Sequence, residues 1–168
     1  MYKVCKTEKS IERQKLFQTT LLGMMEKQKF QDITVTSLCQ KMEAPRKAFY
    51  RYYESLEDVL TAVIDEALTE AFLRLEVKVD LEGFFAYWKS QKYLLDVLEI
   101  NGLSPMMINQ LYGRLETRPL KDGISGKELK YAGYISALMS ILISWHHAGM
   151  LQSEQEMSQL VAEMFNMK

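Results

Sequence analysis

The chain predicts an all-α fold: an N-terminal three-helix helix-turn-helix domain followed by a C-terminal helical bundle used for dimerisation. Three observations carry the helical class. The 168 residues include only three prolines and eight glycines beside 11 methionines, a composition that favours helix over a many-turned β-fold. Apolar residues recur at helical spacing from segment to segment. Residues suited to start and stop helices punctuate that pattern.

From Ser10 to about Gln28, Phe17, Leu21, Met24 and Met25 share one face of a first helix, with Ile11 opening it. Phe30 and Ile33 fall in a short connection. Thr34 is suited to cap a second helix of about two turns, whose apolar positions are Val35, Leu38 and Met42. Glu43-Ala44-Pro45 breaks that helix, and Pro45 suits the first position of a third, where its missing N–H loses no intrahelical bond. The third helix runs to about Tyr53. Phe49 and Tyr53 share one face of it, while Arg46, Lys47, Tyr50 and Arg51 point elsewhere, so its exposed side is basic and aromatic.

Ser55 reads as the N-cap of a long fourth helix, with Glu57 and Asp58 in its first turn and a stripe from Val59 and Leu60 to Phe72 and Leu75. Leu81 to Ile100 is rich in aromatic residues and is stopped by Asn101-Gly102. A helix from Ser104-Pro105 to Glu116 follows, then a loop over 117–126 that carries Pro119, Gly123 and Gly126. The last two helices cover about 127–150 and, from Ser153 or Glu154, about 154–166.

A hydrophobic fraction of 48% excludes disorder and suffices for one or two domains. No run of 18 apolar residues occurs, and the first residues lack the apolar stretch of a secretory signal, so the expectation is a cytoplasmic protein with no membrane partner. Cys5 and Cys39 are too few for a disulfide framework and read as reduced thiols. The net charge of −1 conceals an asymmetry: residues 1–55 hold 11 Lys/Arg against 6 Asp/Glu, and residues 56–168 hold 10 against 16. A basic domain over 1–55 joined to an acidic one over 56–168 suggests that the first faces a polyanion.

No GxSxG elbow, phosphate-binding loop or Cys/His cluster is present, so no catalytic residue and no cofactor is expected. His146 and His147 are adjacent, which on a helix turns them about 100° apart, and no third ligand is spaced along the chain to join them; no metal is expected. Two short helices joined by a tight turn and braced by a longer one let the second enter the major groove of DNA. Core helices also carry exposed Arg and Tyr by chance, so spacing alone leaves both readings open.

The stretch Phe30-Gln31-Asp32-Ile33-Thr34-Val35-Thr36-Ser37-Leu38-Cys39, then Ala48-Phe49-Tyr50-Arg51-Tyr52-Tyr53 and Ser55-Leu56-Glu57-Asp58-Val59-Leu60, resembles the DNA-binding domain of the tetracycline-repressor-like (TetR/AcrR) regulators over roughly residues 10–65. The resemblance implies a homodimeric transcriptional regulator, in most cases a repressor, on palindrome-like double-stranded DNA. Thr34 and Thr36 would touch phosphate at the start of the second helix. Arg46, Lys47 and Ala48 would face bases, and Tyr50, Arg51 and Tyr52 would grip phosphates. Three positions depart from the family's pattern: Glu43 stands where glycine is usual in the turn, Pro45 where a serine cap is frequent, and Leu56 where a phosphate-binding lysine is frequent. Glu43 adds a negative charge and Leu56 removes a cation, which leaves open a regulator that acts through a protein partner instead of DNA.

The resemblance also implies a C-terminal bundle that pairs two subunits and in many members encloses a small-molecule effector. Phe84, Trp88, Tyr112 and Tyr134 are the candidate lining, although an ordinary helical core explains the same aromatics. Leu138, Ile141, Leu142, Trp145, Leu160 and Met164, on the helices at about 127–150 and 154–166, are the candidate dimer contacts; the alternative is that the same stripe packs inside one subunit.

Overall fold

A computed structural model describes residues 2–3, 7–77, 79–116 and 126–165. Among the described residues the regular elements are all helical: α1 (Glu8–Met25), a 3-10 turn (Phe30–Asp32), α2 (Val35–Lys41), α3 (Arg46–Phe49), α4 (Leu56–Val77), α5 (Leu81–Ser90), α6 (Lys92–Ile100), α7 (Pro105–Glu116), α8 (Gly126–His147) and α9 (Glu154–Met164). The chain is therefore all-α. No described helix is long and apolar enough to cross a membrane. Cys5, Asn166 and residues 117–125 of the expected loop lie outside the described residues.

The chain divides into two compact units that are not consecutive in sequence: one takes residues up to Glu66 together with Asp96–Met106, the other Ala67–Leu95 together with the residues from Met107 onward. A single boundary at Ser55 does not express this division. The side chains give the reason for the first unit's extent. Tyr2 Oη donates to Asp65 (2.7 Å) and Gln18 Nε2 to Glu66 (3.2 Å), which ties the first half of α4 to the segment before α1 and to α1 itself. Asn101, past the end of α6, donates from Nδ2 to the Met25 carbonyl (3.1 Å) and accepts the Phe30 N–H (2.8 Å). Lys29 Nζ donates to the Ile100 carbonyl (2.7 Å).

In this unit α2 packs on α1 and α3. Its centre is an aromatic cluster. Phe17 meets Phe49 edge-on at 5.4 Å, and Tyr53 lies 6.2 Å from Phe17 and 5.7 Å from Phe49. Leu21, Leu38, Val59, Leu60 and Ile64 are buried with them. Full burial of such side chains stabilises by about 1.5–3 kcal/mol each.

In the second unit α5 and α9 are in extended contact. Phe85 meets Trp145 edge-on at 5.5 Å, and Lys89 both pairs with Glu154 (3.1 Å) and lies 5.9 Å from the Trp145 ring. Arg74 stacks over Tyr87 at 4.6 Å, and Arg114 donates to Thr69 (2.8 Å). Two caps define helix starts. Asp80 accepts the Gly83 N–H (2.8 Å), and a Cβ on Gly83 would lie 2.2 Å from the Asp80 carboxylate, so a side chain there would make the carboxylate shift. Ser153 and Glu156 form a reciprocal capping box, with Ser153 Oγ accepting the Glu156 N–H (3.2 Å) and Glu156 Oε2 accepting the Ser153 N–H (2.7 Å).

The segment Leu81 to Ile100 is two helices, not one. The Gln91 N–H bonds back to Tyr87 and Trp88, its own carbonyl opens α6 by accepting Leu95, and the Ser90 hydroxyl competes for the Tyr87 carbonyl at 2.6 Å. The break rephases the apolar stripe: α5 buries Leu81, Phe84, Phe85 and Trp88, and α6 then buries Leu94, Leu95, Val97 and Leu98. Helices α6 and α8 end on a shared pattern. Gly102 donates to Glu99 and Leu103 to Leu98 after α6, and Gly149 donates to His146 and Met150 to Trp145 after α8. Each glycine is left-handed, at φ 70° and φ 81° respectively.

Candidate nucleic-acid interface

The region in which the sequence gathers cations and tyrosines is built on α2, the turn after it and α3. Thr34 caps α2: its Oγ1 accepts the Ser37 N–H and its own N–H donates to Ser37 Oγ, both at 3.0 Å. Thr36 is exposed one residue inside the helix. The helix then stops as α6 and α8 do, with Glu43 donating to Gln40 and Ala44 to Cys39. Here the left-handed residue is Glu43, at φ 50°. A side chain in that region costs about 1–2 kcal/mol of backbone strain that glycine avoids.

Pro45 lies one residue before the expected position. Its ψ of 144° is extended, so it is the N-cap of α3, and its carbonyl accepts the Ala48 N–H at 2.8 Å. The helix itself is four residues long, Arg46–Phe49, and the chain continues in turns through Tyr52. It is thus shorter than the reach to Tyr53 that periodicity predicts. Burial of Phe49 and Tyr53 fixes its orientation, because both are essentially inaccessible in the aromatic cluster.

With that face inward, Arg46, Lys47, Tyr50 and Arg51 are exposed, and Ala48 and Tyr52 are half-buried. Arg46 does not extend freely. Its Nη2 donates to the Tyr50 hydroxyl (3.2 Å), its guanidinium carbon lies 5.8 Å from the Tyr50 ring centre, and the hydrogen bond holds the group's pKa above its ordinary value. Tyr52 rests 6.2 Å from Phe17, and its carbonyl accepts the Lys3 N–H (3.0 Å), which brings a further exposed lysine to the end of this segment. Sequence reasoning did not reach Lys3, because only tertiary contacts of residues 2–3 reveal it. Cys39 is a buried free thiol whose pKa burial raises against the opposing pull of Arg46. Leu56 is buried at the start of α4 and belongs to the core, so it offers no cation to the surface there.

The candidate effector residues have different surroundings among the described residues. Phe84 and Trp88 are wholly buried side by side, 6.4 Å apart. Tyr112 lines an open groove of about 380 Å³ with Ile108, Leu111, Ser136, Ser140 and Ile143. Tyr134 packs edge-on against Phe165 at 5.0 Å, and burial pushes its phenol pKa up. The Tyr134 hydroxyl, Trp88 Nε1 and Trp145 Nε1 are buried with no hydrogen-bond partner among the described residues.

Of the candidate dimer residues, Leu138, Leu142 and Trp145 are buried within the single chain. Leu160 and Met164 are exposed. Ile141, half-exposed, borders a groove of about 370 Å³ with Ser144, Trp145, Met157 and Leu160. No protein-family model matches this chain, and a search of curated proteins finds no match.

Proposed function

We propose that this protein is a homodimeric transcriptional regulator, in the repressor sense, that binds a palindrome-like duplex through α2 and α3. One observation carries the reading: α3 and the turn that follows it, anchored by buried Phe49 and Tyr53, present Arg46, Lys47, Tyr50 and Arg51 to solvent together. Cations and phenols in that arrangement suit phosphates and the guanine edge of a major groove, and the preceding capped helix suits the backbone. Thr34 and Thr36 serve the phosphate side of this reading, with Arg51 and Tyr52; Arg46, Lys47 and Ala48 serve the bases.

Dimerisation through α8 and α9 is supported by exposed Leu160 and Met164 beside the groove at Ile141. Sedimentation of a monomer at micromolar concentration would count against it. A small-molecule effector is supported by the unpaired Trp88 and Tyr134 donors, since buried polar groups ordinarily have partners. Native mass spectrometry of the purified protein tests for one.

Selection of bound duplexes from a random pool tests DNA binding directly. A dimer is expected to return two half-sites with centres about 34–36 Å apart. Retention of no duplex even at low salt, where electrostatic binding is strongest, would instead favour a protein partner, a reading that exposed Glu43 beside the basic helix supports.

A further inference from the structure

Tyr50 is the residue whose surroundings fit least well with a simple grip on phosphate. It lies at the end of α3, half-exposed, and its ring meets buried Phe49 edge-on at 5.4 Å. Its hydroxyl accepts a hydrogen bond from Arg46 Nη2, and the Arg46 guanidinium sits against the same ring. The three side chains form a chain of support from the core outward: Phe49 fixes Tyr50, and Tyr50 fixes Arg46. An arginine carries five N–H donors in a planar fork, so one bond to Tyr50 leaves the rest of the fork to meet an acceptor pair. Guanine O6 and N7 are such a pair. A free arginine side chain loses rotamer freedom when it docks, whereas one already held in place loses less.

We propose that Tyr50 is a positioning residue for base recognition, holding the Arg46 guanidinium in the orientation in which it reads a guanine. The proposal rests on the DNA-binding reading above and deepens it: Tyr50 governs which sequence is bound, through Arg46, and not merely how tightly any duplex is held. The aromatic residue and the cation four positions before it then form one recognition unit on a helix too short to orient Arg46 by itself.

The experiment uses the full chain and a duplex selected by it from a random pool. Affinities are measured at one fixed salt concentration for the wild type, Tyr50→Phe, Arg46→Ala and the double variant. Each is tested on the selected duplex and on versions in which single guanines are replaced by 7-deazaguanine, which lacks N7, or single G·C pairs by A·T. Circular dichroism confirms that the variants are folded. Tyr50→Phe keeps the ring and removes the hydroxyl. It is expected to weaken binding to the selected duplex by about three- to tenfold, the cost of ordering one side chain. It is also expected to lower discrimination at the same guanine that Arg46→Ala affects, and to have little further effect in the Arg46→Ala background.

Equal weakening by Tyr50→Phe on every duplex, in both backgrounds, would identify a plain phosphate contact and overturn the proposal. Discrimination untouched at every guanine by Arg46→Ala would overturn it too. Absence of any duplex binding by the wild type at low salt would instead remove the DNA-binding reading on which it rests.

Discussion

The turn after α2 and the turn after α6 are built on the same two backbone hydrogen bonds but on different residues. At the second, Gly102 supplies the left-handed backbone without strain, and Asn101 beside it is bonded to Met25 and Phe30. At the first, Glu43 adopts the same conformation with a full side chain, exposed and next to the basic helix. Hydrogen-bond geometry therefore dictates the shape of a helix stop, and the residue occupying it is chosen under other pressures. Where the turn ties the fold together, the residue is the one that costs least. Where it borders the proposed interface, strain is tolerated.

That contrast is most severely tested at Asn101. Replacement by Ala removes the bonds to Met25, Phe30 and Val97 and leaves part-buried backbone groups unpaired, so a loss of about 2–3 kcal/mol is expected in urea unfolding. A loss no greater than that of an exposed substitution would mean that the α6 turn is no better anchored than the α2 turn. Gly102→Ala should cost about 1 kcal/mol, because alanine then suffers the strain that glycine avoids. The opposite sign is expected at the other turn. Glu43→Gly should stabilise by about 0.5 kcal/mol, relief of strain being partly offset by the freer unfolded chain, and it should tighten duplex binding at low salt by removing an anion. Destabilisation by Glu43→Gly would break the comparison.

The smallest effect extends the contrast to helix starts. The α2 box pairs two hydroxyl residues, whereas the α9 box uses the Glu156 carboxylate, whose pKa the Ser153 backbone and hydroxyl bonds lower from its ordinary 4.5. A lowered folded value means that the box contributes above that pH and is lost as the pH falls through the folded value. Acidification below about pH 4.5 should therefore raise amide exchange at the start of α9 before the start of α2. Equal exchange at both starts would show that the ionised box has no advantage.

Local chemistry accounts for what the sequence made legible. Thr34, Ser55 and Ser153 are caps because a short oxygen-bearing side chain precedes an apolar run, and each accepts the expected N–H. The inward turn of Phe49 and Tyr53 follows from their spacing of four. Less visible was anything set by competition or distance. Ser90 and Gln91 interrupt a helix without proline or glycine, and the Asp80 cap of α5 follows a segment with no apolar run to announce it. Leu138, Leu142 and Trp145 look identical in pattern to Leu160 and Met164, yet the first three are consumed by the chain's own core. Periodicity identifies an apolar face but not what covers it. The proposed interface was legible as a cluster of residue types; the bond that joins Arg46 to Tyr50 was not.

The Asn101 clasp also bears on how the chain assembles. Its bond to Phe30 and that of Lys29 to Ile100 each close a separation of 71 residues. During synthesis the unit that contains α1, α2 and α3 cannot be completed when those helices emerge; it waits until the chain has been made through α6. The intervening segment of the other unit is thus exposed to the cell before either unit is closed, and contacts of such high sequence separation slow folding. A truncation after Ser55 would accordingly yield helices without their last support, and a fragment that keeps the proposed interface with these bonds would have to extend past Gly102.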